Sequence, residues 1–113
     1  MDHMAGLFPK PYYAVIFISQ KSVDDAAFDR MQRGIGDKVA FATGFLGTDR
    51  HRSPEGLGFS ISYWRSLEDI KAWREEERHA AGQRQAREKW YSEYTIRTCL
   101  VLDDNVFEKE SGA

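Results

Sequence analysis

Leu57-Gly58-Phe59-Ser60-Ile61-Ser62-Tyr63-Trp64 is the stretch on which the fold turns. Successive side chains of an extended chain point to opposite sides, so Leu57, Phe59, Ile61 and Tyr63 share one face and Gly58, Ser60, Ser62 and Trp64 share the other. The alternation is the cleanest in the chain and makes this segment a strand. Just upstream, Phe45-Leu46-Gly47-Thr48-Asp49-Arg50 reads as a strand running into the turn signal Ser53-Pro54-Glu55-Gly56. The two strands form a hairpin.

Working outward from the hairpin, Tyr12 through Ser19 is apolar on both alternating sides and rich in β-formers, which suits a strand buried on two faces. Between it and the hairpin, Ser22 followed by Asp25 resembles a capping box, and Phe28, Met31, Ile35, Val39 and Ala42 recur at spacings of three and four. An amphipathic helix is expected there, ended by Gly44. Gly34 and Gly36 weaken it by up to about 1 kcal/mol each relative to alanine, so tertiary packing must hold that stretch.

After the hairpin, Ser66 with Asp69 repeats the Ser-x-x-acid start, and Leu67, Ile70 and Trp73 put an apolar ridge on a second helix. The ridge fades at Glu75-Glu76-Glu77-Arg78, which predicts a break around Arg78 and His79 and a separate helical piece from Ala80 to Trp90. The last strand is expected from Tyr94 to Val101. The order strand, helix, strand, strand, helix, strand is the split βαβ arrangement of α+β, ferredoxin-like domains with a four-stranded antiparallel sheet. A domain over residues 12–102 follows, with a tag-like lead over 1–11 and a polar tail over 103–113 that should fray from Glu108. His3 falls in that lead and carries no functional argument.

Helices on one side of such a sheet leave its other face bare, yet the strands carry apolar side chains on both faces. A second copy of the chain is the simplest cover.

The 113 residues suffice for one domain, with 42% hydrophobic and 30% charged residues and no apolar run near the ~20 residues that a membrane span needs. The formal net charge of -2 gives no general attraction for nucleic acid, although Arg84, Arg87 and Lys89 form a local basic patch. The single cysteine, Cys99, cannot close an intramolecular disulfide, and no signal-peptide pattern opens the chain. A cytoplasmic protein is expected.

Gly44-Phe45-Leu46-Gly47, Ser62-Tyr63-Trp64 with Ser66-Leu67, Ala72-Trp73, His79 and Arg87-Glu88-Lys89-Trp90-Tyr91 together resemble the antibiotic-biosynthesis-monooxygenase family, over nearly the whole span from Tyr12 to Val101. The resemblance implies a dimeric α+β barrel, in which two four-stranded sheets face each other and each subunit holds a pocket between its sheet and its helices. Members of the family include cofactor-free oxygenases of polyketide phenols, haem-degrading enzymes and quinol oxygenases, so the fold by itself does not fix the function. The haem-degrading branch uses an Asn on the first strand, a Trp on the second helix and a ligating His further along it. Trp73 matches that Trp, but the first strand has no Asn and the His position falls near Gln83.

A cofactor-free oxygenation draws its electrons from the substrate, so it needs a base that makes a phenolate or enolate and an apolar pocket that shelters it. His79, with a reference pKa of ~6.5, is the candidate base, set against the plainer role of a helix-end or surface group. Trp64, Trp73, Trp90, Tyr91 and Tyr94 are candidate walls for an aromatic ring, set against ordinary core packing. Arg97 lies in a strand beside apolar neighbours and needs a partner, and Cys99 on the same face reads as a small buried hydrophobe. His51, between Arg50 and Arg52, is placed in solvent at the hairpin end. Three scattered histidines without ligand spacing call for no metal, and no phosphate loop or other cofactor motif is present. The leading expectation is therefore a homodimeric, cofactor-independent monooxygenase of an electron-rich aromatic or quinol compound. Its rivals are a non-catalytic ligand-binding or structural module of the same fold and a haem-binding protein.

Overall fold

In a computed structural model, which describes residues 6–22, 26–79 and 89–109, the elements run β1 (Tyr12–Lys21), α1 (Ala26–Val39), β2 (Phe45–Arg52), β3 (Leu57–Trp64), α2 (Leu67–His79) and β4 (Tyr91–Val101). The four strands form one antiparallel sheet in the order β2-β3-β1-β4. This is the expected α+β architecture, with β1 and β3 at the centre.

The turns obey the local chemistry of the sequence. At the hairpin tip Ser53 N–H donates to the Leu57 carbonyl at 2.8 Å and Gly56 N–H to the Ser53 carbonyl at 2.9 Å. Gly56 adopts φ +97°, which an L side chain rarely tolerates. Ser66 caps α2: Asp69 N–H donates to Ser66 Oγ at 3.1 Å, and Ser66 Oγ donates to the Asp69 carboxylate at 2.9 Å. Asp69 fills the space beside Gly44, so a Cβ there would overlap it, and Gly44 also takes φ +80°. One glycine thus joins the end of the first crossover to the start of α2.

Ser22 N–H donates to the Trp90 carbonyl at 2.8 Å and its Oγ to the Lys89 carbonyl at 3.1 Å, tying the end of β1 to the start of β4; the capping box expected of Ser22 with Asp25 falls on residues 23–25, outside the described residues. Two boundaries differ from expectation. β4 begins at Tyr91 rather than Tyr94, because that first turn is held in register with Lys21 and Gln20 of β1. β2 continues to Arg52, two residues past the expected end, paired with Gly58. Helix α2 is described as far as His79; the break expected around Arg78 and His79 lies at the edge of residues 80–88, and the helical piece expected to follow falls largely on them, outside the described residues.

Strand register assigns the faces. Val15 lies opposite Ser62 and Phe17 opposite Ser60 and Ile96, whereas Ile16 lies opposite Ile61 and Ile18 opposite Phe59. Antiparallel partners share a face. The first set faces α1 and α2 across a cleft lined also by Phe28, Ile35, Ile70 and Trp73. The second set faces away from the helices. The helices therefore cover the Gly58-Ser60-Ser62-Trp64 side of β3, and the apolar Leu57-Phe59-Ile61-Tyr63 side stays open. On that open side Leu57 is 56% exposed and Ile18 and Phe59 are each 39% exposed.

At one edge of the open face the lead and the tail meet. Lys10 Nζ pairs with the Asp104 carboxylate, and Tyr12 OH donates to the same carboxylate at 2.5 Å. Phe8, Tyr12 and Tyr63 stack around this point, with ring centroids 5.2 to 6.0 Å apart. Burial, reinforced by the hydrogen bond to Asp104, pushes the Tyr12 phenol from 10.0 up to about 12. Burial and a 2.7 Å hydrogen bond to Asp49 push Tyr63 up as well. The hydrogen bonds from Lys10 and Tyr12 hold the Asp104 carboxyl below its ordinary value.

Candidate functional site

The cleft between the helix-side face and the helices has a volume of about 1340 Å³. It exists because its floor is built from small side chains: Ser60 and Ser62 on β3 and Thr48 and Thr98 on the flanking strands leave room that leucines would fill. Aromatic groups close its two ends.

At the end nearer Tyr13, Trp64 is 1% exposed and stacks on Phe45 at 5.5 Å and Trp73 at 6.3 Å. Its indole Nε1–H donates to Ser62 Oγ at 2.9 Å, which fixes the ring over the floor. Trp73 is half-buried on α2 and shares the lining. At the end nearer Lys21, Phe17, Phe28, Tyr91 and Tyr94 form the wall, with edge-on centroid distances of 5.3 to 6.1 Å between them. Gln32 Nε2 of α1 donates to Tyr91 OH at 2.5 Å.

The structure thus brings Trp64, Trp73, Tyr91 and Tyr94 of the sequence-derived set onto one cleft. Trp90 is placed otherwise: it is 7% exposed, packs behind the wall against Phe28 at 5.9 Å, and takes no part in the lining. It belongs to the small core of Phe28, Trp90 and Tyr91. His79 is the last described residue of α2, and its side chain lies outside the described residues. Gln83 is also outside the described residues.

His51 is exposed on the open face, 6.5 Å from the Phe59 ring. Arg97 is exposed there too and donates to Thr95 Oγ1 at 3.1 Å, while Cys99 beside it is half-buried. Among the described residues no group of three His, Cys, Asp or Glu side chains could hold a metal ion, and no helix is long and apolar enough to cross a membrane.

Sequence reasoning missed the basic lining. Lys21, Arg33, Arg50, Arg52 and Arg74 border the cleft against three acids, Asp29, Asp37 and Glu77. Had β2 been extended by two residues, the period of two would have put Arg50 and Arg52 on the same face as Thr48.

A split βαβ sheet whose helices stand off from a small-residue floor to leave an aromatic-walled cleft defines a ferredoxin-like α+β domain. Residues 11–85 match the sequence profile of the family described as antibiotic biosynthesis monooxygenase, and the chain belongs to that family. A relative of comparable length, the uncharacterized protein YqjZ of Bacillus subtilis, is 33% identical over 112 residues, spanning 99% of this chain and 98% of that protein. Among solved structures, SnoaB of Streptomyces nogalater, a cofactor-independent oxygenase, superposes with a TM-score of 0.63 at 12% identity over 88% of this chain and 99% of its own. A dimeric ferredoxin-like protein from an uncultured marine organism superposes with a TM-score of 0.58 at 10% identity over 85% of this chain and 100% of its own. At such identities these structures speak for the fold.

Proposed function

We propose that the chain is a homodimeric, cofactor-independent monooxygenase that takes a flat, electron-rich aromatic or quinol molecule into the cleft of each subunit. The observation that carries this reading is the cleft itself: a small-residue floor of Ser60 and Ser62 between ring walls of Trp64 and Trp73 at one end and Tyr91 and Tyr94 at the other. Flat walls facing a hollow floor suit a planar ring better than a flexible chain. The family membership and the likeness to an oxygenase fold support it.

In the reaction, a base removes a proton from a phenol or an activated methylene, and the resulting anion passes electrons to dioxygen. One oxygen atom stays on the substrate and the other leaves as water. His79 is the base of this reading. The second copy covers the open face of Leu57, Phe59, Ile61 and Ile18, as the dimeric relative of the same fold suggests. A reducing cytoplasm suits its lone thiol, Cys99.

The aromatic walls of the cleft equally suit a second reading, in which the dimer binds an aromatic ligand without turning it over. Oxygen uptake separates the two. Incubated with a panel of phenols, anthrones and hydroquinones, with and without haemin, the protein is expected to consume oxygen with at least one compound in the absence of haemin. His79→Ala is expected to lower that rate a hundredfold or more, on the order of what a general base supplies. Binding without uptake for every compound establishes the binding module, and full activity in His79→Ala removes the base assignment. Uptake only with haemin points to the haem-using branch.

A further inference from the structure

Arg52 is built into the cleft wall in a way its structural duties do not exhaust. The half-buried guanidinium donates from Nη1 to the Ser19 and Gly56 carbonyls, at 3.1 and 2.5 Å, and from Nη2 to Ser19 Oγ at 2.7 Å. Ser19 is itself 1% exposed, so the anchor that holds the group is part of the interior. The carbon of the guanidinium lies 5.6 Å from the Phe28 ring and 5.7 Å from the Tyr91 ring, which brace it from the sides. Every one of these partners is neutral, and no carboxylate among the described residues pairs with Arg52.

A guanidinium carries five donors in one plane. Three are used, both on Nη1 and one on Nη2. The Nε–H and the second Nη2–H remain, and these share the edge that meets a carboxylate as a fork. A cation held in a partly dry wall without a counter-charge is stabilised by an anion brought to it. The surplus of basic over acidic side chains around the cleft adds an attractive field.

We propose that Arg52 is an anion anchor at the Phe28–Tyr91 end of the cleft, and that the ligand is an aromatic carboxylate whose ring lies on the floor while its carboxylate takes the free fork. The proposal rests on the aromatic-cleft reading above and narrows it to substrates with an acid group at one end. It gives the cleft a direction: the ring system extends from Arg52 toward Trp64 and Trp73.

The test is calorimetric titration of the full-length protein with 2-naphthoate and with methyl 2-naphthoate, which share a ring and differ in charge. The acid is expected to bind at least tenfold more tightly than the ester, with an affinity that weakens as salt is raised. Arg52→Gln is expected to remove that advantage and leave ester binding in place, and Arg52→Lys, which keeps the charge but not the fork, to fall between. Thermal melting checks that both variants fold; if Arg52→Gln does not, the wild-type comparison of acid with ester and its salt dependence decide the question alone. Equal affinity for acid and ester overturns the anchor and leaves the aromatic cleft standing. Binding of neither overturns both.

Discussion

Ile61 and Ser62 are neighbours in the chain and belong to opposite worlds. The side of β3 that carries Ser62 faces the helices and is hollow, and the side that carries Ile61 faces outward and is apolar. A lone α+β domain would be built the other way, with its largest apolar side chains under the helices and its serines in water. Under the proposed dimer, the inversion means that the sheet serves two partners. Its helix side gives up close packing to keep a cavity, and its outer side keeps the apolar surface with which a second subunit can be held.

Changes on the two sides should therefore fail in different ways. The largest effect is expected from Ile61→Asp. Each copy loses roughly 1.5–3 kcal/mol of apolar burial and must desolvate a carboxylate, so the dimer dissociation constant should rise about a hundredfold or more. Sedimentation at micromolar protein reads the outcome, and an unchanged dimer would break the contrast between the faces. Trp64→Ala, on the helix side, is expected to cost about 3–5 kcal/mol in urea unfolding, since the ring is fully enclosed and supports Phe45 and Trp73. Its association state should be untouched.

Ser60→Leu sharpens the comparison further. It adds bulk to a floor that has room for it, so stability should move by less than about 1.5 kcal/mol while binding of aromatic ligands is lost, as calorimetry can show. The smallest effect belongs to the edge of the open face. Tyr12 has its phenol pKa raised in the folded state, so its contribution is fully present below pH 10.0 and is lost as pH climbs toward about 12. Melting temperature should decline through that window. In Asp104→Asn the decline should still begin near pH 10.0 but level off at lower pH and be smaller, because the carboxylate's hydrogen bond and charge are gone while burial remains.

The fold was legible because it depends on periodicity and punctuation. Alternation from Leu57 to Trp64, the turn at Ser53 to Gly56 and the Ser66–Asp69 cap are local signals, and each is realised as read. The face taken by the helices was not legible. β1 is apolar on both sides, and a Gly-Ser-Ser edge on β3 looks like a solvent face until tertiary packing sets helices over it. The cleft was partly legible for the same reason. Aromatic residues mark walls, but the boundary between Trp90, just ahead of β4, and Tyr91, its first residue, was not legible: one packs behind the wall and the other forms it. Arg52 escaped notice because its neutral partners, Ser19 and Gly56, are distant from each other in sequence and converge only when β1 and the hairpin pair.

The seam of Lys10, Tyr12 and Asp104 has a consequence for the order of the chain. Two positions more than ninety residues apart are held in direct contact, so a peptide of a few residues could join them without bending the sheet. With new ends opened at the exposed Pro54-Glu55 tip, a circular permutant should keep the architecture and the cleft, with only the route of the backbone through them rewired.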